Sequence, residues 1–232
     1  MSNEWSAEPA QGYWLDFAEG GGGPTHEFGG AHQVPGSECP TCHKPLLRLL
    51  TLDSTDKRLN LSTFVAPRVH LLYCWTCSIP YGDFCYELLQ DGGVNILSCK
   101  VGDPGAFGPD GPYDGYPGVF PGRLVTLKPL TEEEQRAIHE KQHEDIDVPD
   151  EFSYVEDPRH QIGGDPLILN PQFPLACPKC DSEMPFLATI CDNAGGNGFP
   201  DGYVSFTGNL GVQMVFHLCR NCAVVCAYHS VD

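Results

Sequence analysis

The chain has 232 residues, with 31 Asp and Glu against 13 Lys and Arg, which gives a formal net charge of −18. Hydrophobic residues make up 41% of it, as in a globular protein, whereas 26 Gly and 21 Pro exclude a long helical bundle. Because nucleic-acid affinity rests largely on Lys and Arg, the acidity argues against a nucleic-acid binder and favours a basic partner.

The N-terminal sequence has no basic segment followed by an apolar run, and no stretch reaches 18 consecutive apolar residues. We therefore expect no secretory signal, no membrane span and a cytoplasmic location. Disulfides are rare in the cytosol, so Cys-x-x-Cys pairs favour metal binding there.

Apolar runs bounded by Pro, Asp and Gly predict strands in the first half of the chain, at 13–17, 45–52, 69–75, 82–89, 94–99 and 124–127. Asp91-Gly92-Gly93 is typical of a hairpin turn. Residues 102–122 contain seven Gly and five Pro with aromatic residues between them. Such a loop is either a poorly ordered connection or a partner-contacting segment.

One helix is predicted, beginning after Thr131 and running to about Glu144. Thr131 and Glu134 have the spacing of a capping box, and acidic residues suit the positive end of the helix dipole. Residues 132–157 contain eleven acidic and two basic residues, a net of −9, which is half the charge of the chain. This acidic segment is either a solvated linker or a docking surface for a basic protein.

In the second half, strands are predicted at 185–191, 203–207, 211–218 and 223–229, with a Gly-rich turn at 193–197.

Eight of the twelve cysteines form four Cys-x-x-Cys pairs, which are Cys39/Cys42, Cys74/Cys77, Cys177/Cys180 and Cys219/Cys222. Two such turns supply the four thiolates of a closed tetrahedral site, so the sequence predicts two structural zinc ions per chain. Iron would fit the same sulfurs. The two Cys pairs of the first set are separated by 31 residues, and those of the second set by 38 residues. Both intervals exceed the ~15–20 residues between the Cys pairs of a zinc ribbon. We therefore expect several strands between the two halves of each site.

The two sets have matching contexts. A Gly-Gly pair precedes each, at Gly29-Gly30 and Gly163-Gly164, and an apolar strand precedes each second Cys pair. This pattern indicates an internal repeat. We predict a β-rich α+β fold of two tandem pseudo-symmetric lobes, at 1–130 and 158–232, joined by the acidic helix and linker at 131–157.

The remaining cysteines, Cys85, Cys99, Cys191 and Cys226, lie in apolar or turn settings. They are interpreted as buried free thiols, and Cys226 could substitute for a metal ligand.

Sequence motifs for catalysis are lacking: no nucleophile elbow, phosphate-binding loop or zinc-protease helix occurs. A Cys226 nucleophile with His217 or His229 is conceivable. His139 and His143 lie at i, i+4 and could bind a metal, but a solvated helix face is the favoured interpretation because no third ligand is evident. A thiol redox sensor is another alternative, and it competes for the same cysteines.

Three stretches of the second copy are Ile162-Gly163-Gly164-Asp165-Pro166, Cys177-Pro178-Lys179-Cys180 and Met184-Pro185-Phe186-Leu187-Ala188. They resemble the YwqG-like family of bacterial domains. The first copy carries Leu15-Asp16-Phe17-Ala18-Glu19, Cys39-Pro40-Thr41-Cys42-His43-Lys44-Pro45-Leu46 and Leu71-Leu72-Tyr73-Cys74. It is similar to the programmed cell death protein 2 family. The resemblance covers most of the chain apart from residues 100–157.

This resemblance implies a β-rich pseudo-symmetric fold. For the eukaryotic branch it implies a chaperone for a basic ribosomal protein, and for some bacterial members an immunity protein that neutralises a toxin. Neither branch supplies a catalytic motif. We therefore expect a non-enzymatic, zinc-stabilised protein that caps a basic protein partner, with no nucleic acid and no membrane involved.

Overall fold

The computed structural model describes residues 10–17, 26–61, 66–74, 77, 79, 84–100, 119–155, 159–171, 174–191 and 212–231. Within them lie one α-helix, α1 (Glu132–Glu144), and short 3₁₀ helices at Lys57–Leu59 and Asp150–Val155. The strands are β1 (Tyr13–Asp16), β2 (His26–Phe28), β3 (Leu47–Asp53), β4 (Arg68–Tyr73), β5 (Phe84–Leu88), β6 (Val94–Cys99), β7 (Arg123–Pro129), β8 (Gln161–Ile162), β9 (Phe186–Cys191), β10 (Val212–Cys219) and β11 (Val224–Val231).

These strands form a single antiparallel sheet in the order β4-β3-β2-β7-β1-β8-β9-β10-β11-β5-β6. The sheet is curled, so the edge strand β4 approaches β5. The buried Tyr86 hydroxyl of β5 donates to the carbonyl of His70 (2.9 Å) and accepts from the amide of Leu72 (2.9 Å), both on β4. One side chain therefore satisfies two backbone groups of an edge strand.

The prediction of a β-rich fold with one helix is confirmed. The predicted strands that fall on described residues agree with the structure to within two residues at each end. The turn at Asp91-Gly92-Gly93 is also confirmed, because it joins the paired strands β5 and β6. The predicted strand at 203–207, the turn at 193–197 and residues 102–118 of the Gly/Pro-rich loop lie outside the described residues.

Two short strands were missed by the sequence patterns, and they lie at the Gly-Gly pairs. Gly29 directly follows β2, and its amide donates to the carbonyl of Leu49. Gly163 directly follows β8, and its amide donates to the carbonyl of Leu187 (2.9 Å each). Both glycines have positive φ, 58° and 61°. A Cβ on Gly29 would lie 2.7 Å from Phe120 and from the carbonyl of Pro121, so glycine is required there.

Other contacts also recur in the two halves. His26 is the first residue of β2 and accepts through Nδ1 from the amide of Asp53 (3.1 Å). His160 directly precedes β8 and accepts through Nδ1 from the amide of Cys191 (3.0 Å). A bulge interrupts the β3–β4 pairing, and another interrupts the β9–β10 pairing. In the sheet, β4-β3-β2 and β8-β9-β10 flank the β7–β1 pair.

The β5–β6 hairpin extends the sheet beyond β11. Cys85 and Cys226 are opposite each other in the β5–β11 register and form a disulfide. The prediction of free thiols is therefore wrong for these two residues, because strand pairing brings together cysteines that are 141 residues apart. Cys99 and Cys191 keep their thiols, which contact Sγ of Cys39 and the carbonyl of Arg159, respectively.

The acidic helix is anchored to the sheet. The predicted capping box is confirmed, since Thr131 Oγ1 accepts from the amide of Glu134 (3.1 Å) and the Glu134 carboxylate accepts from the Thr131 amide (2.7 Å). Glu134 also accepts from the indole of Trp14 on β1 (3.0 Å). Ala137 and Ile138 pack with Leu130, Val148, Trp14, Phe152 and Leu167.

Among the described residues, no helix has the length and apolar character needed to cross a membrane.

Candidate metal centres

The first Cys-x-x-Cys turn is held in shape by its own backbone. Glu38 and Pro45 form an isolated bridge across its base. The Cys39 amide donates to the Lys44 carbonyl, and the His43 amide donates to that of Cys39 (2.9 Å each). His43 has φ 58°, so the chain reverses directly after Cys42. The turn therefore directs two sulfurs to the same place.

The third pair forms the same turn, 138 positions later in the chain (Cys39 to Cys177). Ala176 and Glu183 form the bridge. The Cys177 amide donates to the Ser182 carbonyl (2.9 Å), and the Asp181 amide donates to that of Cys177 (2.8 Å). Asp181 has φ 58°, as His43 does.

The other two pairs lie where strands end. Cys74 follows β4 directly, and Cys219 is the last residue of β10, with Cys222 in the turn before β11. Among the described residues, one antiparallel strand pair lies between the two halves of each site, β3 with β4 and β9 with β10, and it brings the second sulfur pair to the first. The expectation of several strands there is therefore not confirmed.

The sulfur geometry fits a tetrahedral zinc site. Within Cys39, Cys42, Cys74 and Cys77, all four sulfurs lie within 4.8 Å of one another. Sγ of Cys39 is 3.7 Å from that of Cys77, and Sγ of Cys42 is 3.6 Å from that of Cys74. Zinc–sulfur bonds of ~2.3 Å at tetrahedral angles give a sulfur–sulfur edge of about 3.8 Å.

The second set, Cys177, Cys180, Cys219 and Cys222, also has its four sulfurs within 4.8 Å. Sγ of Cys180 is 3.7 Å from that of Cys219. The structure thus brings together all eight predicted ligands, in the two predicted groups of four. Both groups could hold a metal ion.

Electrostatics within each group favour a bound cation. Hydrogen bonds from Cys74 and Cys99 lower the pKa of the Cys39 thiol. Burial, followed by the negative charge of Cys39, raises the pKa of Cys77 to about 12. In the other group, hydrogen bonds with Ser182 lower the pKa of Cys180 to about 6. The pKa of Cys222 is raised to about 12, mainly by the hydrogen bond between Cys222 and Cys180. Four thiolates at this spacing need a cation to offset their repulsion.

A fifth thiol lies beside the first group. Sγ of Cys99, on β6, is 3.8 Å from that of Cys39. Its hydrogen bond to Cys39, together with burial, raises the pKa of Cys99. Cys99 is therefore suited to donate a hydrogen bond to the sulfur of Cys39 as a neutral thiol. No sequence spacing indicated this contact, because β6 is brought there by the sheet.

The second group is linked to β5 by two contacts. The Cys85–Cys226 disulfide packs in one apolar cluster with Cys177, Cys219 and neighbouring side chains. Lys179, inside the third Cys pair, is 2.7 Å from the carboxylate of Glu87. Since Cys226 is bonded to Cys85, it has no thiol to act as a substitute ligand or a nucleophile.

A third group of metal-ligating side chains lies on α1. Nδ1 of His139 is 2.7 Å from Oδ2 of Asp165, and Nε2 of His143 is 2.9 Å from the same oxygen. The sequence interpretation of His139 and His143 as a solvated face lacked this acidic residue, which lies 22 positions after His143. Only the packing of α1 beside the segment that follows β8 reveals it.

Comparison of the chain with protein-family models, with curated proteins and with solved structures finds no match in any of the three.

Proposed function

We propose that this chain is a non-enzymatic, zinc-stabilised module that binds a basic protein through its acidic segment. The observation that carries the proposal is the exposure of that segment. Seven acidic residues between positions 132 and 151 are exposed, namely Glu132, Glu133, Glu144, Asp145, Asp147, Asp150 and Glu151.

Few basic groups offset this charge locally. Lys141 lies 3.5 Å from Asp145, and Arg136 lies 4.0 Å from Glu140. Ile146 is 45% exposed between two of the acids, which adds apolar area to the surface. Complementary charge of this kind accelerates association with cationic partners and disfavours acidic ones.

A structural role for the zinc sites fits this proposal. Four thiolates fill the tetrahedral shell of zinc and leave no position for substrate or water. Cys39, Cys42, Cys74 and Cys77 would hold one ion, and Cys177, Cys180, Cys219 and Cys222 the other. Each ion would contribute on the order of 10 kcal/mol of folding free energy if the sites behave as zinc-finger peptides do.

We also infer that the two halves are copies of one unit, arranged as tandem lobes. Support comes from the matching cysteine turns, the matching positive-φ glycines and the two histidines that bond equivalent strands. The proposed relationship to the YwqG-like and programmed cell death protein 2 families rests on the quoted motifs. On that relationship the partner is a cationic toxin or a ribosomal protein, bound in the cytoplasm, with neither nucleic acid nor membrane involved.

The test compares three proteins as baits in a native lysate. The first is the wild type. The second is the triple variant Glu133→Gln, Glu144→Gln and Asp147→Asn, which neutralises exposed acids without deleting the anchored helix. The third is Glu38→Gln, Asp181→Asn and Glu183→Gln, which removes the same charge from exposed positions on the cysteine turns.

We expect the wild type and the third protein to capture the same basic protein and the second to lose it at least tenfold. Affinity for that protein, once purified, should fall with added salt. Capture of acidic proteins, or equal capture by all three baits, would contradict the proposal. Zinc content measured in each bait controls for folding.

A second candidate function, a thiol redox sensor, is favoured by one observation: the Cys85–Cys226 disulfide shares a cluster with Cys177 and Cys219. Its oxidation state could thereby alter the second zinc site. Retention of zinc under mild peroxide, and equally after reduction of the disulfide, would exclude this function.

A further inference from the structure

We propose that His139, His143 and Asp165 form a third metal site, which binds a divalent transition-metal ion through imidazole and carboxylate ligands. Two imidazole nitrogens from successive turns of α1 converge on one carboxylate oxygen, at 2.7 and 2.9 Å. The three ligand atoms all lie within 4.8 Å of one another. This site shares no ligand with the two cysteine groups, and both of its histidines lie on the helix of the acidic segment.

The spacing of the ligand atoms fits an ion at their centre. Nitrogen and oxygen ligands bind such ions at ~2.1 Å, so two ligands at right angles lie about 3 Å apart. The two observed nitrogen–oxygen distances are close to that value. The two imidazole rings are tilted by 44° with centroids 4.7 Å apart, so both lie beside the same carboxylate.

The site is built on fixed elements. Ile138, next to His139, is buried in the contact between α1 and the sheet. Gln142, next to His143, accepts through its side-chain oxygen from the amide of Ile168 (2.6 Å) and so ties α1 to the segment after β8. The backbone of that segment is held in turn by Gln161, whose amide nitrogen donates to the carbonyls of Gly163 (2.9 Å) and Asp165 (3.1 Å).

The ligand types identify the class of ion. Two imidazoles and one carboxylate suit Zn²⁺, Co²⁺, Ni²⁺ or Fe²⁺, whereas Mg²⁺ and Ca²⁺ prefer oxygen ligands and Cu⁺ prefers sulfur. The side chains of His139 and His143 are 36% and 37% exposed. Water therefore reaches the site and would complete the coordination, as in three-ligand sites with open positions.

Binding would join α1 to the turn after β8 through the ion. Without the ion, the same contact is a pair of histidine–carboxylate hydrogen bonds at the surface. The ion should also bind more weakly than at the tetrathiolate sites, because the shell contains only three protein ligands and competes with water.

The test uses the full chain with two equivalents of zinc already bound at the cysteines, titrated with Co²⁺ and followed by calorimetry and visible absorbance. We expect one further equivalent, with weak d–d bands and no thiolate charge-transfer absorption. His143→Gln and Asp165→Asn should each lower the affinity for Co²⁺ at least tenfold.

Asp145→Asn is the matched control. It removes one negative charge, as Asp165→Asn does, but from the C-terminal end of α1, the helix that carries both histidines. The carboxylate of Asp145 is 96% exposed, and asparagine accommodates the left-handed backbone at this position. This control should bind Co²⁺ within twofold of the wild type. All variants should retain two zinc equivalents, which shows that they are folded.

The proposal is overturned if zinc-loaded wild type takes up no further Co²⁺, or if Asp165→Asn binds Co²⁺ as the wild type does. Equal losses in Asp165→Asn and Asp145→Asn would also overturn it, since net charge alone would then explain the uptake. Because the thiolate-bound zinc is counted separately, these results do not depend on the protein-binding proposal.

Discussion

At the residue scale, the sulfurs at the first group have two roles, and the sequence identifies only one of them. Cys42 belongs to the first group of four, whereas Cys99 lies against that group from outside. The Cys-x-x-Cys spacing identifies Cys42 because both sulfurs of a pair come from one turn. The position of Cys99 depends on strand pairing and could not be predicted.

These roles predict different metal contents. Cys42→Ser should leave about one zinc per chain after dialysis against a mild chelator, because a hydroxyl is a poor replacement for a thiolate in a four-sulfur site. Cys99→Ser, the matched control, should keep two. Elemental analysis measures both, and equal zinc loss in the two variants would show that the first site is assigned wrongly.

Buried histidines give the protein a predictable response to acid. Burial, followed by the charge of Arg159, lowers the pKa of His160 to about 3. Its Nδ1 accepts from a backbone amide, so protonation would break that hydrogen bond. Since the unfolded chain has a histidine pKa near 6.5, it binds more protons than the folded chain at pH values between about 3 and 6.5. Stability therefore falls as the pH falls through this range.

Replacing His160 by Asn keeps an acceptor near the position of Nδ1 and removes the titration. Between pH 6.5 and 5, the free energy of unfolding of the wild type should fall more steeply than that of His160→Asn, by up to about 1.4 kcal/mol per pH unit. Urea unfolding at several pH values measures the two slopes. Acid loss of zinc affects both proteins alike, so parallel slopes would contradict the assignment.

At the scale of elements, the sequence predicts best what local contacts determine. The capping box at Thr131 and Glu134 and the turn after Asp91 depend on neighbours within four positions, and both are confirmed. β2 and β8 have only three and two residues, too few for a pattern of alternating burial. The role of Asp165 at α1 depends on a contact across 22 residues or more, which no local pattern contains.

The contribution of this helix cap to the free energy of unfolding can be measured. Thr131→Ala removes the acceptor for the Glu134 amide and should lower the free energy of unfolding by about 1 kcal/mol. Thr131→Ser keeps the hydroxyl and should stay within a few tenths of a kcal/mol of the wild type. Urea unfolding distinguishes the two, and an unchanged stability of Thr131→Ala would show that the cap contributes little.

At the scale of the whole molecule, a single sheet contains strands from both halves of the sequence. The predicted internal repeat indicated which residues would form each cysteine group, but it does not include the pairing of the β5–β6 hairpin with β11. The same long-range pairing creates the disulfide, which the expectation of a reducing compartment had disfavoured.

The disulfide predicts a thiol count. Alkylation in denaturant and chelator, without reductant, should modify ten of the twelve cysteines, and reduction should expose all twelve. Cys85→Ser is the control, since its eleven remaining thiols should all react without reductant. Mass spectrometry counts the adducts, and twelve adducts on unreduced wild type would show that Cys85 and Cys226 are not bonded.

The Tyr86 hydroxyl has a consequence for self-association. An exposed edge strand offers unpaired amides and carbonyls to a strand of another molecule, and this is a common route to aggregation. On β4, the hydroxyl of Tyr86 forms hydrogen bonds with one such amide, that of Leu72, and with one such carbonyl, that of His70. The curl of the sheet therefore protects one of its two ends against intermolecular strand addition, by a side chain that is itself fully buried.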